Sequence, residues 1–530
     1  MKLNHPVVIF GFHLLFIILL LTIGWNAAIG DWGNYYYGAA GYVDGHAQGI
    51  YDVARFNNYV DSYHLKEDYF LSYTQVPPLS LLIYFPFTLM KVGLAKLVFT
   101  ITTYLLCAFS ITRLFTKMQI DLRWSMLLPL LLLLPFRSNV DAGQSYFLLL
   151  ALLAEGWLAR ENGKWILAAF LFAFAIHLKI FPAIVLIWLL AGKDWKMFGA
   201  TICAVAILFG VSLLYVDWGT WEYYCVEVLP RLAKGEITNT YATAYQSMPV
   251  LLKQLFVPDA MHNPSAAFDS GFLYRFGTII WSGMVLMIAF LFSFDKKQSS
   301  FLRFAVWIFA GMLISGYGST YGLLLLIFPA IAIVKQESLN RNTKFALLFL
   351  IALIANIPMN WIMNFSLPFS FLRLFLMLCF FAGLIYLFRP QWNRLALIAM
   401  LVPFLSLING KSQLDGSDYF LKKEPSLLIT DYRIESDTII YSYRDGEGLH
   451  EGRELFAEQI EQVEEKGGYP HFAYWDNVEY RFYGEQISEL VVINNKYFLY
   501  LSDKNRGAGF YTLRIKQIKY DKGDERILEE

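Results

Sequence analysis

The sequence predicts a polytopic α-helical membrane protein with about 13 transmembrane helices, followed by a C-terminal soluble α+β domain. Of its 530 residues, 57% are hydrophobic and 16% are charged, whereas soluble domains carry about 25% charged residues. Long apolar runs recur up to about residue 410, and mean hydropathy is +0.45. Beyond that point charged residues become frequent. We therefore expect a membrane domain over 1–410 and a soluble domain over 411–530.

Apolar runs mark the candidate spans, because a helix needs about 20 apolar residues to cross a bilayer. The first run, 6–29, is too long for a signal-peptide core and is expected to remain as an uncleaved span. The segment 77–92 is short and holds three prolines, so we expect a re-entrant or surface-lying helix. The runs 165–178 and 180–192 are either two short helices or one helix broken around 177–179. The other candidate spans lie near 97–115, 125–136, 144–159, 197–216, 273–294, 302–316, 319–335, 345–363, 370–388 and 395–409.

Basic residues predict the orientation, because cytoplasmic loops carry an excess of lysine and arginine. The basic clusters are Arg113/Lys117/Arg123, Arg160/Lys164, Lys193/Lys196, Lys296/Lys297/Arg303, Lys335/Arg341/Lys344 and Arg389/Arg394. With Lys2 inside, all of them fall on the cytoplasmic side if 77–92 does not cross. We therefore expect long outer loops at 30–77 and 217–272. The C-terminal domain is then extracytoplasmic, in a protein of the cell (inner) membrane.

The C-terminal domain has the patterns of a small α+β fold. Alternating runs predict strands near 427–434, 438–443, 478–483, 490–501 and 510–520. An acidic stretch over 453–466 has the residue spacing of an amphipathic helix. The domain carries no catalytic motif, which favours a recognition or packing role.

Several classes of function are excluded by what the sequence lacks. The net charge is +0, so no global field attracts nucleic acid. None of the four cysteines forms a CxxC pair, and no P-loop, HExxH, GxSxG or kinase signature is present. No carboxylate cluster resembles a Ca²⁺ or Mg²⁺ cage. We therefore predict no metal, no cofactor and no nucleotide hydrolysis.

The first outer loop opens with Asp31, followed by an aromatic cluster that includes Trp32, Tyr35 and Tyr36. A carboxylate at the membrane surface is suited to general-base catalysis on lipid-borne groups. Aromatic rings stack on sugars, but they also anchor proteins at the bilayer interface. Two interpretations therefore stay open: a catalytic base beside a sugar path, or an interfacial anchor with a solvated aspartate.

Other polar residues lie near membrane depth. Gln144 joins two candidate spans, and His177 and Lys179 lie between two apolar halves. Ionisable residues at such depth usually face a cavity, and a lysine there pairs well with a phosphate. The alternatives are a snorkelling lysine and a structural histidine. In the loop 217–272, aromatic and polar residues that include Gln246 and Ser247 suit either carbohydrate recognition or an interfacial position.

A set of short motifs follows the same order as in a known family. They are DWGNYYYGAAGYVDGHAQGIYD at 31–52, SYTQVPPLSLLIYFPF at 72–87, NVDAGQSYFLLLAL at 139–152, AFAIHLKIFPAIVLIWLL at 173–190 and YQSMPVLLKQLF at 245–256. Together they resemble glycosyltransferase family 87, whose members are polyprenol-phosphate-mannose-dependent alpha-mannosyltransferases and relatives with the GT-C fold. The resemblance extends over about 31–330. Two positions depart from the family pattern: Gln75 interrupts a Tyr-Pro-Pro spacing, and Tyr321 stands where a histidine is common.

The resemblance implies a GT-C-like membrane domain and an inverting transfer of a sugar, with mannose as the first expectation. The donor is a polyprenyl-phosphate-linked sugar, and the acceptor is a glycolipid, a cell-surface polysaccharide precursor or other glycan, or a protein. On this basis Asp31 is the general base. The donor phosphate and sugar contact Lys179, His177, Gln144, Gln246 and Ser247. The sugar or acceptor path is lined by Trp32, Tyr35 and Tyr36.

Three other functions are weighed against this one. A transporter or flippase of lipid-linked glycans requires polar residues near the midplane and usually inverted repeats, whereas the polar residues here group toward one face. A non-catalytic scaffold tolerates replacement of Asp31. An O-antigen-ligase-like enzyme typically relies on arginines and a histidine in a large outer loop.

Overall fold

The computed structural model describes most of the membrane domain and the strands of the C-terminal region. The described residues are 6–25, 30–51, 75–235, 240–258 and 266–391, isolated positions between 56 and 63 and between 263 and 403, and strand segments between 428 and 517.

Helices make up the described part of the membrane domain. Their bounds are α1 (Pro6–Gly24), α2 (Trp32–Val43), α3 (Pro78–Thr88), α4 (Val92–Lys117), α5 (Arg123–Leu131), α6 (Leu133–Ala142), α7 (Tyr146–Glu161), α8 (Trp165–Leu178), α9 (Ile184–Ala191), α10 (Trp195–Ser212), α11 (Trp218–Tyr223), α12 (Leu229–Lys234), α13 (Met248–Phe256), α14 (Gly271–Phe294), α15 (Ser300–Ile314), α16 (Ile327–Lys335), α17 (Arg341–Asn356), α18 (Met359–Ile362) and α19 (Leu372–Phe388). Short 3₁₀ turns lie at Ala47–Gly49, Phe181–Ala183, Tyr321–Leu326 and Phe369–Phe371, and a π turn lies at Tyr224–Val228.

Several helices have the length and apolar composition of membrane spans, as the sequence predicts. Within the described residues, five helical segments pass this test, and the bent pair α6–α7 makes a sixth if it counts as one span. The five segments are Val7–Gly24, Val92–Lys117, Trp195–Ser212, Gly271–Phe294 and Phe369–Phe388. The total of 13 spans stays a prediction, and the candidate span 395–409 lies almost wholly outside the described residues.

The segment 77–92 forms the short helix α3. Its 11 residues extend over about 16 Å, roughly half of the hydrocarbon thickness. Pro78 occupies the first turn, where its missing N–H costs nothing. The helix packs on α2 and α4. A helix of this length agrees with the predicted re-entrant or surface position.

The region around 177–179 separates two short helices. The helix α8 ends at Leu178, and Lys179 is extended, with φ −151° and ψ 137°. A 3₁₀ turn over Phe181–Ala183 then leads into α9. Pro182 prevents a continuous helix because it has no N–H and its ring excludes the preceding turn. The structure therefore favours two helices over one, and it leaves the Lys179 backbone at a helix end.

The candidate span 125–136 is broken into α5 and α6 at Leu132. Pro135 lies in the first turn of α6, a position that tolerates proline. Helix α6 continues to Ala142, so it includes most of the stretch that separates the candidate spans 125–136 and 144–159. Gly143 then adopts a left-handed conformation with φ +66°, and the chain turns by 119° into α7. This turn places Gln144 at the junction.

The core of the membrane domain forms around α7 and α8. Helix α7 packs against α4 and α8, and α8 packs in turn against α10. Gly156 allows the close approach of α7 to α8, because a Cβ atom at this position would lie 2.6 Å from the Phe172 ring. Helix α15 is buried on nearly all sides, as expected for a helix that is apolar all round.

The described part of the C-terminal region consists of antiparallel strands. Their bounds are β1 (Leu428–Glu435), β2 (Thr438–Arg444), β3 (Leu449–Leu455), β4 (Ile460–Gln462), β5 (Glu464–Glu465), β6 (Phe472–Trp475), β7 (Val478–Arg481), β8 (Ile487–Ile493), β9 (Tyr497–Ser502) and β10 (Thr512–Gln517). The strand orders are β1-β2-β3, β10-β9-β8-β4 and β5-β6-β7. Each predicted strand corresponds to an observed one, and the run 490–501 divides into β8 and β9.

The predicted helix over 453–466 is wrong. This stretch contains the end of β3 together with β4 and β5. Strand β3 pairs with β2 along its whole length, and β4 pairs with β8. These pairings outweigh the helical spacing of the acidic residues, because strand preference depends on cross-strand neighbours more than on local sequence. Among the described residues, the C-terminal region therefore contains the strands of the predicted α+β domain but not its predicted helix.

Candidate active site

Asp31 is the residue before α2, seven positions after the end of α1. Gly30 precedes it with φ +54°, a conformation that glycine adopts at little cost. The Asp31 side chain is partly exposed. Its Oδ2 atom accepts a hydrogen bond of 2.7 Å from Nε2 of Gln144. The carboxylate therefore faces the α6–α7 junction and is oriented by an amide.

Gln144 connects the carboxylate to a cation. Its Oε1 atom accepts hydrogen bonds from the Tyr35 hydroxyl at 2.7 Å and from Nζ of Lys179 at 3.1 Å. A carboxylate only accepts hydrogen bonds and an ammonium only donates them. The amide therefore points its NH₂ group toward Asp31 and its oxygen toward Lys179. One buried side chain thus joins a base to a positive charge.

The Lys179 ammonium lies between aromatic rings. Nζ is 3.3 Å from the Tyr35 hydroxyl, 4.9 Å from the centroid of the Tyr146 ring and 5.7 Å from that of the Tyr35 ring. Burial lowers the pKa of Lys179 to about 8, and the Asp31 carboxylate partly offsets this effect. Among the described residues, no carboxylate oxygen lies within 4.0 Å of this ammonium. It is therefore placed to receive an anion from outside the chain.

Asp31, Gln144 and Lys179 form one hydrogen-bonded cluster, and four tyrosines form the walls around it. Tyr35 stacks on Tyr84 with ring centroids 4.9 Å apart, and Tyr146 contacts Tyr321 at 5.4 Å. Burial raises the pKa of Tyr35 well above its usual range, and nearby phenols and Asp31 add to the effect. The Tyr35 hydroxyl therefore stays protonated and donates to Gln144.

Trp32 and Tyr36 do not join the cluster in this structure. The Trp32 indole is fully buried and donates from Nε1 to the carbonyl of Val92 at 3.2 Å. The Tyr36 hydroxyl donates to the carbonyl of Met90 at 2.8 Å. Both side chains fasten α2 to the connection between α3 and α4. The sugar-stacking role expected for them has no accessible ring face here.

His177 faces away from Lys179. Its Nε2 atom lies 3.2 Å from the carbonyl oxygen of Val205 on α10, and its ring packs edge-on against Trp221. The His177 carbonyl accepts a hydrogen bond of 2.7 Å from the Ser80 hydroxyl on α3. These contacts correspond to the structural alternative, and they hold the end of α8 in place beside the cluster.

Gln246 and Ser247 lie in a second layer. The Gln246 amide donates to the carbonyls of Thr243 and Ser370 at 2.6 and 2.8 Å. The Ser247 hydroxyl donates to the carbonyl of Gly316 at 3.0 Å. Both side chains are buried and bonded to backbone. They support the turn before Tyr321 and do not contact Asp31 or Lys179.

Some residues near the cluster were not expected from the sequence. Tyr146 and Tyr321 form a wall, Lys96 lies beneath the α6–α7 turn, and Arg373 bonds to the Thr320 hydroxyl at 2.9 Å. Lys96 and Arg373 carried a usable signal, because a cation inside an apolar run is a functional candidate by default. Tyr321 carried a weaker signal, because it stands where a histidine is common in family 87, and Tyr146 carried none, since aromatic residues are abundant in the apolar runs of this chain.

Comparison with known proteins relates part of this chain to a protein family. No curated protein matches the chain. The model of glycosyltransferase family 87 matches residues 73–316. The matched segment includes Gln144 and Lys179, while Asp31 and Tyr35 precede it and Tyr321 follows it. The match confirms the predicted resemblance: residues 73–316 are similar in sequence to glycosyltransferase family 87.

Proposed function

We propose that this protein transfers a sugar from a polyprenyl-phosphate donor to an extracytoplasmic glycolipid or glycan acceptor, with inversion at the anomeric carbon. The observation that carries the proposal is the Gln144 amide, which bonds both Asp31 and Lys179. A glycosyl transfer needs a base for the acceptor hydroxyl and a positive charge for the leaving phosphate, and here a single side chain links two such groups. Mannose is the first candidate for the sugar.

In the proposed reaction, the Asp31 carboxylate takes the proton of an acceptor hydroxyl as its oxygen attacks the anomeric carbon. The bond between this carbon and the phosphate oxygen breaks, and the electron pair leaves with the lipid phosphate. Lys179 stabilises the charge that builds on the phosphate, because a fixed cation in a partly dry site acts strongly on developing charge. Tyr35 keeps the Gln144 amide in place.

The positions of the basic residues support an extracytoplasmic site. Lys117 donates to the Asn162 side chain at 2.6 Å, and Arg160 forms an ion pair with Asp194 at 2.8 Å. These contacts bring two basic clusters together at the C-terminal end of α7, with Asp194 from between the lysines of a third, whereas Gln144 lies before the N-terminal end. The 16 residues of α7 separate them by about 24 Å. With the basic end in the cytoplasm, the cluster faces the opposite side of the inner membrane.

The test uses purified protein in lipid vesicles, with a membrane lipid extract as the acceptor source. We expect radiolabel to pass to a new glycolipid from polyprenyl-phosphate mannose but not from a nucleotide sugar. We expect transfer to persist in EDTA, because Asp31 is the single carboxylate that the described residues contribute to the cluster. Transfer from the nucleotide sugar would contradict the donor assignment. Movement of the intact donor across the bilayer without cleavage would support a flippase instead.

A further inference from the structure

Lys96 is a charged residue in an unusual place. It lies in the second turn of α4, a helix with the composition of a membrane span, and its side chain is 1% exposed. Burying an ammonium group in an apolar environment is costly. Such a residue is retained where its charge or its hydrogen bonds serve a purpose that an apolar side chain does not.

The Lys96 ammonium is directed at the end of α6. Nζ donates to the carbonyl oxygen of Asp141 at 2.6 Å and lies 5.1 Å from the centroid of the Trp25 ring. Asp141 is in the last turn of α6, where carbonyl groups have no partner within the helix and the helix dipole is negative. A cation therefore stabilises this helix end through both a hydrogen bond and its charge.

The stem of Lys96 also packs on the turn that follows. A Cβ atom at Gly143 would lie 3.1 Å from Lys96 Cε and 2.6 Å from Trp32 Cβ. Lys96 and the residue next to Asp31 thus both pack closely against the α carbon of Gly143. Within the turn, the Gln144 N–H donates to the Asn139 carbonyl at 3.0 Å.

We infer that Lys96 is a positioning residue for the transfer reaction: it fixes the Gly143 turn and so holds the Gln144 amide between Asp31 and Lys179. The path has three short steps, from Nζ to the Asp141 carbonyl, along the backbone through Gly143, and from the Gln144 amide to the carboxylate. The inference rests on the proposed function for its kinetic part. Its structural part, the fixing of the turn, is measurable without any substrate.

The first experiment measures amide hydrogen exchange of the full chain in lipid nanodiscs. Lys96→Met keeps an unbranched side chain of similar length and removes the charge and the donor. We expect exchange over residues 139–146 to become about 10-fold faster, because one hydrogen bond that closes this turn is lost. The control is Lys117→Met on the same helix, which removes a hydrogen bond of 2.6 Å from Lys117 to the Asn162 side chain. It leaves 139–146 unchanged.

The second experiment measures transfer from polyprenyl-phosphate mannose. For Lys96→Met we expect kcat to fall by about 10²-fold, the effect of displacing a catalytic group by about 1 Å, with the donor KM changed less than about 3-fold. Lys96→Arg keeps a cation and donors, and it restores part of kcat. If Lys96→Met does not fold, the comparison of Lys96→Arg with the wild type carries both measurements.

Two results would overturn the inference. One is unchanged exchange over 139–146 in Lys96→Met. The other is faster exchange along all of α4 and α6 with unchanged kcat, which would give Lys96 a structural role only. If the wild type transfers no sugar from any lipid-linked donor, the proposed function fails, and the exchange over 139–146 still decides whether Lys96 fixes the turn.

Discussion

Replacing Gln144 by methionine tests the bridge between the base and the cation. Methionine has a similar length and no branching, so it fills the same space without an amide. The change removes a 2.7 Å hydrogen bond to the Asp31 carboxylate and a 3.1 Å bond from the Lys179 ammonium, in addition to the bond from Tyr35. Both charged groups then lose the partner that orients them, while their own side chains stay intact.

The structure allows the magnitude to be worked out. A hydrogen bond to a charged group contributes about 1.5–3 kcal/mol, and about 1.4 kcal/mol corresponds to a factor of 10 in rate. If the transition state keeps one of the two Gln144 hydrogen bonds to a charged group, the loss of that bond in Gln144→Met lowers kcat/KM for sugar transfer by roughly 10- to 150-fold. Tyr35→Phe removes one bond between neutral groups, about 0.5–1.5 kcal/mol, and lowers kcat/KM by roughly 2- to 13-fold.

The assay is sugar transfer by the purified variants in lipid, over a range of donor concentrations. Gln298→Met is the matched control. It removes a glutamine whose amide makes two hydrogen bonds, at 3.0 Å to the Asp295 carboxylate and at 3.2 Å to the Phe388 carbonyl. We expect the control to transfer at the wild-type rate. Equal rates for Gln144→Met and Gln298→Met would refute the role of the bridge.

Two further predictions concern pH and packing. Because the pKa of Lys179 is about 8, the donor KM rises above that pH as the ammonium loses its charge; Lys179→Arg, which stays charged, removes this rise. In the unfolded chain Lys179 keeps its proton up to about pH 10.5. Between about pH 8 and pH 10.5 the unfolded chain therefore binds more protons, and the Lys179 contribution to the free energy of unfolding increases with pH. Stability thus rises over the range in which donor binding weakens. Chemical denaturation of the wild type and Lys179→Arg over this range measures it. Gly156→Val forces a side chain against the Phe172 ring and destabilises the fold by about 1–3 kcal/mol, whereas Gly199→Val, at a position with nothing within 4 Å of its Cβ, leaves the melting temperature unchanged.

Much of the helical architecture follows from local sequence. Apolar runs predict the positions of most described helices, because a helix in a bilayer must be apolar over most of its length. The breaks at Leu132 and Lys179 depend on nearby prolines, which end or restart helices without a long polar signal. The stretch 453–466 was predicted incorrectly because its strands form with partners that are distant in the sequence, such as β2 and β8.

The candidate site was predictable in part. Asp31, Gln144 and Lys179 stand out as polar residues beside apolar runs, and the fold brings them into one hydrogen-bonded cluster. The orientation of Trp32 and His177 was not predictable, because the face that a side chain presents depends on how its helix packs. Both residues bond to backbone carbonyls of neighbouring elements and not to the cluster.

The measurement that tests the central claim most directly is sugar transfer by Asp31→Asn in lipid, compared with the wild type. The swap keeps the shape of the side chain and removes the base. Asp44→Asn, the same change at the other end of α2, is the control; Asp44 accepts hydrogen bonds from the hydroxyls of Tyr59 and Tyr63, and an amide oxygen still accepts them. We predict that Asp31→Asn loses at least about 10²-fold in transfer rate and that Asp44→Asn retains the wild-type rate. Wild-type transfer by Asp31→Asn would contradict its assignment as the general base.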